Sequence, residues 1–416
     1  DAQTGRACQE VAVTLRVAGF LIVGWVAVSC AQPIVLRTST ILDGKGGVLT
    51  NRQIVIEGGR IRSIGDGKAR ATSPGSRVRF RDDLRGLTVM PGWIDTHVHL
   101  DWHFDANRKL VNGRENPEDA ARFTAENARV TLEGGFTTVQ SVGAEIDKVI
   151  RDRIAAGEIP GPRVLTSLRQ INDRSGTPDA IRELVRKTKA DGADLIKIFA
   201  TTGMSAGGNQ SMSDEQIQAA CGEAKAQGLR TLVHAIGAAG AKAAILAGCT
   251  AIEHGSYLDD AALRLMAEHG TYFDPNFLVL HNYLDNRASF DFTDASFTSL
   301  RNAIEPTAEI LRRARALHVK VVFGTDAVAG AHGRNAEEFV YRVRDAHDQP
   351  MDALMSATSV AAESLGLGKE IGTVAPGFQA DLVATEGNPL TDITAVRRVV
   401  FVMKGGKVYK NIHRVE

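Results

Sequence analysis

Neither sign of charge dominates this chain of 416 residues: Lys plus Arg and Asp plus Glu each number 49. No net field therefore gathers nucleic acid or an anionic surface, and no nucleic-acid role is expected. Cysteine is scarce. The four present, Cys8, Cys30, Cys221 and Cys249, form no CxxC pair, which argues against both a disulfide scaffold and a thiolate zinc site. Any metal must then be held by nitrogen and oxygen. Long apolar runs are also few. The one near the start, VAGFLIVGWVAVSC over 17–30, is too short to span a bilayer comfortably. It follows Arg16 and precedes Ala31-Gln32-Pro33, the pattern of an export signal over 1–31, so the protein is expected to be exported, periplasmic or secreted. Ala27-Val28-Ser29-Cys30 resembles a bacterial lipobox and would anchor the protein through a lipid on Cys30, whereas cleavage after Ala31 would release it; both stay open. The acidic residues Asp1 and Glu10 leave a buried N-terminal helix open as well.

What is present is ordinary globular composition, 44% hydrophobic and 24% charged, with length for one large domain and a small one. Short β runs broken by glycine fill 32–90 (VLRTSTILDG, QIVIEGGRIRSIG, RVRFRDDLRGLTVMPG), and the same texture returns over 374–416 in ADLVATEG and RVVFVMKGGKVYKN. The two ends are expected to pair into one small β-sandwich. Between them, over 91–373, apolar runs alternate with amphipathic helices. The strand candidates are GWIDTHVHL (92–100), GFTTVQSVG (135–143), PRVLTSL (162–168), DLIKIFATTG (194–203), RTLVHAIG (230–237), TAIEHGSY (250–257), TYFDPNF (271–277) and KVVFGTDA (320–327). Ser213-Asp214-Glu215-Gln216 has the form of a capping box, and Thr177-Pro178 opens another helix. This βα repetition predicts an α/β protein, a (β/α)₈ barrel in preference to an open doubly wound sheet.

Metal-capable residues fall at matching depths of these strands. His97 and His99 are two apart, so both side chains face the same way. Lys197 lies in the fourth strand, His234 in the fifth, His254 near the end of the sixth and Asp326 near the end of the eighth. Each alone has an ordinary explanation: a hydrogen-bonded pair, a snorkelling lysine, a helix cap. Six together on inward strand positions would be costly to bury without a compensating cation.

The motifs PGWIDTHVH, DLIKIFATTG, VHA, IEHG, FGTDA and ATSVAAESLGLGKEIGTVAPGFQADLV resemble the amidohydrolase superfamily over nearly the whole chain beyond the leader. The resemblance implies a hydrolase with two divalent ions, zinc first, though manganese, cobalt or iron suit the same ligands. It implies a carbamylated Lys197 derived from carbon dioxide, with His97, His99 and Asp326 at the more buried ion and His234 and His254 at the more exposed one. A hydroxide shared by both ions would attack, and Asp326 would carry its proton to the leaving amine. Lys197, His254 and Asp326 are accordingly the expected catalytic groups.

GFTTVQSVG, GPRVLTS and VFVMKGGKV are similar to the group of imidazolonepropionase-like proteins and the Xaa-Pro, Xaa-Arg and Xaa-Lys dipeptidases and carboxypeptidases. That implies a dipeptide, a C-terminal residue or an N-acyl amino acid as substrate, a small molecule or short peptide in any case. Two features depart from the dipeptidases: SLRQINDRSGTPD passes quickly into a helix, and HAIG supplies Ile236 where they often carry an aromatic or a second histidine, which points to a more open or more apolar pocket. Substrate-facing candidates are Tyr257, Asn276, His281, His332 and Arg334, the last for a substrate carboxylate. The aromatic-rich stretch 276–297 reads as a long loop, either a lid or core packing. A lactone, ester or organophosphate hydrolase on the same metals stays open, as do a noncatalytic metal-binding barrel and a homo-oligomer.

Overall fold

Two blocks of β structure at opposite ends of the chain join into one sheet. The computed structural model describes residues 12–17, 20–25, 33–66, 79–113 and 115–413, with 12–17, 20–25 and 79–82 described by backbone only. Cys8, Cys30 and Ala31 lie outside the described residues. Within the expected leader, the described residues form an antiparallel hairpin of Ala12–Val17 and Phe20–Trp25.

The end blocks are β1 (Ile34–Leu42), β2 (Val48–Glu57), β3 (Arg60–Asp66) and β4 (Arg79–Pro91) from the first, and three strands near the C-terminus, Leu382–Glu386, Val399–Lys404 and Lys407–Asn411, from the second. They hydrogen-bond as a single seven-stranded sheet in which β4 is the seam, antiparallel to Leu382–Glu386 on one side and parallel to β1 on the other. Where a small sandwich was expected, the two ends share one hydrogen-bonded sheet, and its edge strand β3 also meets the segment before Leu382, with the Ile61 amide donating to the Phe378 carbonyl at 2.8 Å and the Ala380 amide to the Gly59 carbonyl at 2.9 Å. Leu36, Ile54, Leu84, Val89, Leu382 and Phe401, drawn from both ends of the chain, share one apolar cluster.

Between the blocks, parallel strands alternate with helices. β5 (Trp93–Val98), β6 (Phe136–Ser141) and β7 (Arg163–Thr166) form one run, and β8 (Leu195–Phe199), β9 (Arg230–Gly237), β10 (Ala251–Tyr257) and β11 (Tyr272–Asp274) another. The Asp194 amide links the two runs by donating to the Thr166 carbonyl at 2.8 Å. Strands packed on both faces read as near-continuous apolar runs, and β5 and β6 are buried throughout. Seven of the eight candidates are therefore strands. The eighth, 320–327, is not: it bridges Phe273 through Val321 and Val98 through Ala327 and is otherwise irregular. The cause is local, because Asp326 takes φ +50° and Gly324 lies so close to Asp274 that a Cβ would stand 1.7 Å from its carboxylate.

Helices cover the strands. Thr177 caps α3 (Pro178–Ala190), and Ser213 with Gln216 closes the expected capping box on α4 (Asp214–Ala226). Trp93, Phe136, Phe323 and Phe339 pack edge to face, tilted and stacked at 4.2–5.6 Å between ring centres. Cys221 of α4 and Cys249 before β10 form a disulfide with Cα atoms 5.3 Å apart, a tertiary pairing that the sequence spacing did not suggest. Among the described residues, no helix is long and apolar enough to cross a membrane.

Candidate active site

His97 and His99 leave β5 on the same side, as residues two apart on a strand must, with ring centres 5.4 Å apart. Both Nε2 atoms face Asp326 Oδ1, His99 at 3.1 Å and His97 at 3.4 Å. The Nζ of Lys197, on β8, lies 3.0 Å from His97 Nε2. The His254 ring joins the group, tilted 5.5 Å from the His97 ring and edge-on 4.6 Å from the His234 ring. All six side chains expected as metal ligands thus meet in one place.

Two of them reach it by unusual backbone. Glu253 and His254 are neighbours on β10, and strand alternation would send them to opposite faces. His254 has φ +69° and Asp326 φ +50°, conformations costly for residues with a Cβ. The His254 amide is held there by Asn276 Oδ1 at 3.1 Å. Glu253, released to point inward, meets His97 Nδ1 at 2.9 Å. Behind it lies a buried ionic group: Arg342 pairs with Asp274 at 3.0 Å and with Glu338 at 2.7 Å, all fully buried.

The electrostatics suit a cation. Burial, and then neighbouring positive groups, push the imidazoles of His97 and His234 well down, and burial takes His254 down to about 4. Neutral imidazole is the form that binds metal. Burial also lowers the Lys197 amine, against Glu253, Asp326 and Asp274, which favour its charged form. Burial would raise the Asp326 carboxyl, but His97, a hydrogen bond from His99, and His254 outweigh it and hold the carboxylate below its usual range. His97, His99 and Asp326 present donor atoms within 4.8 Å of one another, as do His97, Glu253 and Asp274 on the other side of the imidazole. A set of four imidazoles, a carboxylate and a lysine in a buried cleft fits divalent metal binding, with Glu253 orienting His97 from behind.

The six side chains face a cavity of about 400 Å³. Its walls are chiefly apolar: Trp102, Phe199, Ile236, Leu280, Phe292 and Leu300 are among them, and Gln170, Ser205, Ser296 and Tyr283 bring polar groups. None of the five expected substrate residues lines it. Tyr257 is 41% exposed. Asn276 is spent on the His254 amide. His281 pairs with Asp345 at 2.9 Å and stacks on Tyr341, and Arg334 pairs with Asp285 at 3.2 Å. His332 is packed where burial holds its imidazole down to about 4. Asn276, His281 and Arg334 have other partners close by, and much of the apolar wall comes from helices instead. The stretch expected as a loop is α7 (Phe277–Asp285) followed by a short 3₁₀ turn and the start of α8 (Asp294–Ala316); it contributes Val279, Leu280, Tyr283, Phe292 and Ser296 to the cavity, and α8 adds Leu300 beyond it. Sequence reasoning had no signal for Glu253, whose neighbour already occupied the inward face.

A polar, metal-competent floor under an apolar cleft, set at the ends of parallel strands, defines a hydrolase site of the metal-binding kind. Residues 88–409 match the amidohydrolase family model, and the chain belongs to the amidohydrolase family, hydrolases of amide and related C–N bonds. It is 27% identical to an ochratoxinase of Aspergillus niger, covering 91% of this chain and 87% of that protein. It is 23% identical to an imidazolonepropionase of Rhodococcus jostii, covering 91% and 94%. Among solved structures it is similar to a Xaa-Pro dipeptidase with methionine bound in the active site, at 31% identity and a TM-score of 0.82 over 91% of this chain and all of that one.

Proposed function

We propose that this protein is a binuclear metal-dependent amidohydrolase that cleaves the amide bond of a dipeptide or N-acyl amino acid carrying a bulky apolar group. The observation that carries the reading is the meeting of His97, His99, Lys197, His234, His254 and Asp326 on one apolar cavity. In this reading the strands over 91–373 close as a (β/α)₈ barrel, supported by the hydrogen bonds from Thr96 to Phe323 and from His99 to Ala327, each 2.8 Å. The flanking sheet is drawn from the described residues within 33–90 and 374–413.

His97, His99 and Asp326 would hold one divalent ion and His234 and His254 the other, with a carbamylated Lys197 between them. Zinc suits these ligands. Bound there, the ions supply Lewis acidity and lower the pKa of water. A neutral Lys197 amine is the form that captures carbon dioxide, and its burial favours that form. Asp326, held ionised, accepts a proton from the attacking water and returns it to the leaving amine. Phe199, Ile236, Leu280 and Leu300 exclude bulk water and receive the apolar part of the substrate. The similarity to a Xaa-Pro dipeptidase with methionine bound in its active site supports a short peptide or amino-acid derivative as substrate. Export, which an oxidising compartment would require for Cys221–Cys249, fits the leader expected over 1–31.

Metal analysis of the purified protein is expected to give about two ions per chain. A parallel panel of dipeptides, N-acyl amino acids, lactones and paraoxon-type esters tests the substrate. Turnover of N-acyl or dipeptide substrates with apolar side chains is expected; activity on the lactones and phosphate esters alone would remove the amide reading.

A further inference from the structure

Of the polar groups on the cavity wall that the chemistry so far leaves unused, Tyr283 is the one whose ring is fixed by aromatic packing. Val279, Leu280 and Tyr283 lie on one face of α7, three and four residues apart, and all three line the cavity. Among the described residues Tyr283 is the one tyrosine that does so. Its ring is clamped edge-on by Phe290 at 4.7 Å and by Phe292 at 5.1 Å, so the direction of the hydroxyl is set by packing. No hydrogen bond joins that hydroxyl to a described residue. Burial, and then the Asp326 carboxylate, suppresses its ionisation, so it stays a neutral O–H donor.

A phenol O–H facing a cleft with apolar walls is left without an acceptor until a substrate brings one. Two acceptors fit by chemistry. A substrate carboxylate carries its charge before, during and after the reaction, so a donor to it stabilises ground and transition states alike. The carbonyl oxygen of an amide is neutral in the bound substrate and gains negative charge only as the carbon becomes tetrahedral, which is where one pre-set donor is worth most. Ile236, beside His234 on β9, brings no hydroxyl from the strand side.

We propose that Tyr283 is a catalytic residue whose hydroxyl donates a hydrogen bond to the oxygen of the scissile carbonyl as the carbonyl becomes tetrahedral. The proton stays on the phenol, and the bond weakens again when the carbonyl reforms. The inference rests on the amide-hydrolase reading above.

The test is Tyr283→Phe in the metal-loaded, full-length enzyme, which keeps the ring and its two aromatic contacts. On the best N-acyl amino acid of the panel, kcat is expected to fall about 100-fold with KM changed by less than about threefold. The affinity for the phosphonate isostere of that substrate, measured by calorimetry, is expected to weaken by the same factor as kcat/KM, because both report the tetrahedral geometry. Metal content and thermal midpoint should match the wild type, which separates the effect from damage to the fold. An unchanged kcat overturns the proposal. So does a loss confined to KM, which would make Tyr283 a ground-state binding group, or a phosphonate affinity that does not move. A wild type with no amide turnover sinks the amide reading alone, and Tyr283→Phe is then compared on the lactone that does turn over, where the same carbonyl oxygen is present and the same outcomes decide.

Discussion

His97 is gripped from both sides of its ring: Nδ1 meets Glu253 at 2.9 Å and Nε2 meets Lys197 at 3.0 Å. With Nδ1–H donating to Glu253 Oε2, the lone pair of Nε2 is turned toward Asp326 and the cavity, which fixes both tautomer and ring plane. Glu253→Gln keeps the shape but offers an amide that can present either oxygen or N–H to Nδ1, so the tautomer is no longer enforced. Metal affinity is expected to drop about 10- to 100-fold, read by competition with a chelator at matched thermal stability. Affinity equal to wild type would show that His97 is oriented by packing and not by this carboxylate. The metal-capable set was legible in the sequence because HxH on a strand and single polar residues inside apolar runs violate the pattern around them. Glu253 was hidden, since alternation places it opposite His254, and only the positive φ at His254 lets two successive residues serve one site. Tyr257, His281 and Arg334 were singled out for being polar near strand ends, but Asp345 and Asp285 already pair with the last two.

At the level of elements, runs such as DLIKIF and TLVHAI announce buried parallel strands through their continuous apolar character, and the caps at Thr177 and Ser213 announce the helices after them. KVVFGTDA has the same composition, yet Gly324 and Asp326 are bent to fit Asp274 and the site, so function overrode strand propensity there. The wall made by α7 and α8 was legible only as an aromatic-rich stretch, because which residues of a helix meet a cavity depends on partners far away in sequence. The same holds for Cys221 and Cys249, which sit 28 residues apart and come together only when α4 docks beside β10. Cross-linking a loop of that length restricts the unfolded chain by about 3 to 4 kcal/mol. Cys221→Ser is therefore expected to lower the urea midpoint, and dithiothreitol should lower the wild type to the same value while leaving the variant unmoved. Identical midpoints for wild type and variant without reductant would mean that the thiols are not joined in solution.

Over the whole molecule, the two end segments act as a clasp on the strands between them. The Gly92 amide donates to the Asp381 carbonyl at 2.8 Å, Arg163 on β7 reaches the Asp381 carboxylate at 3.0 Å, and Lys404 from the C-terminal part of the sheet donates to the Gly161 carbonyl. Lys404 is where this junction carries a cost. Burial, and then the neighbouring Arg163, lowers its ammonium to about 8 from an ordinary value of 10.5. The folded state therefore binds fewer protons than the unfolded chain between these two values, so stability rises with pH across that window. The gain is complete above 10.5 and is lost as pH falls through about 8, with an upper size of about 3 kcal/mol. Lys404→Met removes the titrating group while keeping much of the side chain's volume. The stability difference between wild type and Lys404→Met, taken from urea unfolding at a series of pH values, is expected to shift in favour of the wild type as pH climbs from about 8 toward 10.5 and to stay flat below that range. Parallel curves across the window would show that the ammonium is as well solvated in the folded protein as in the open chain, and that the sheet meets the strands through a wet seam instead of a packed one.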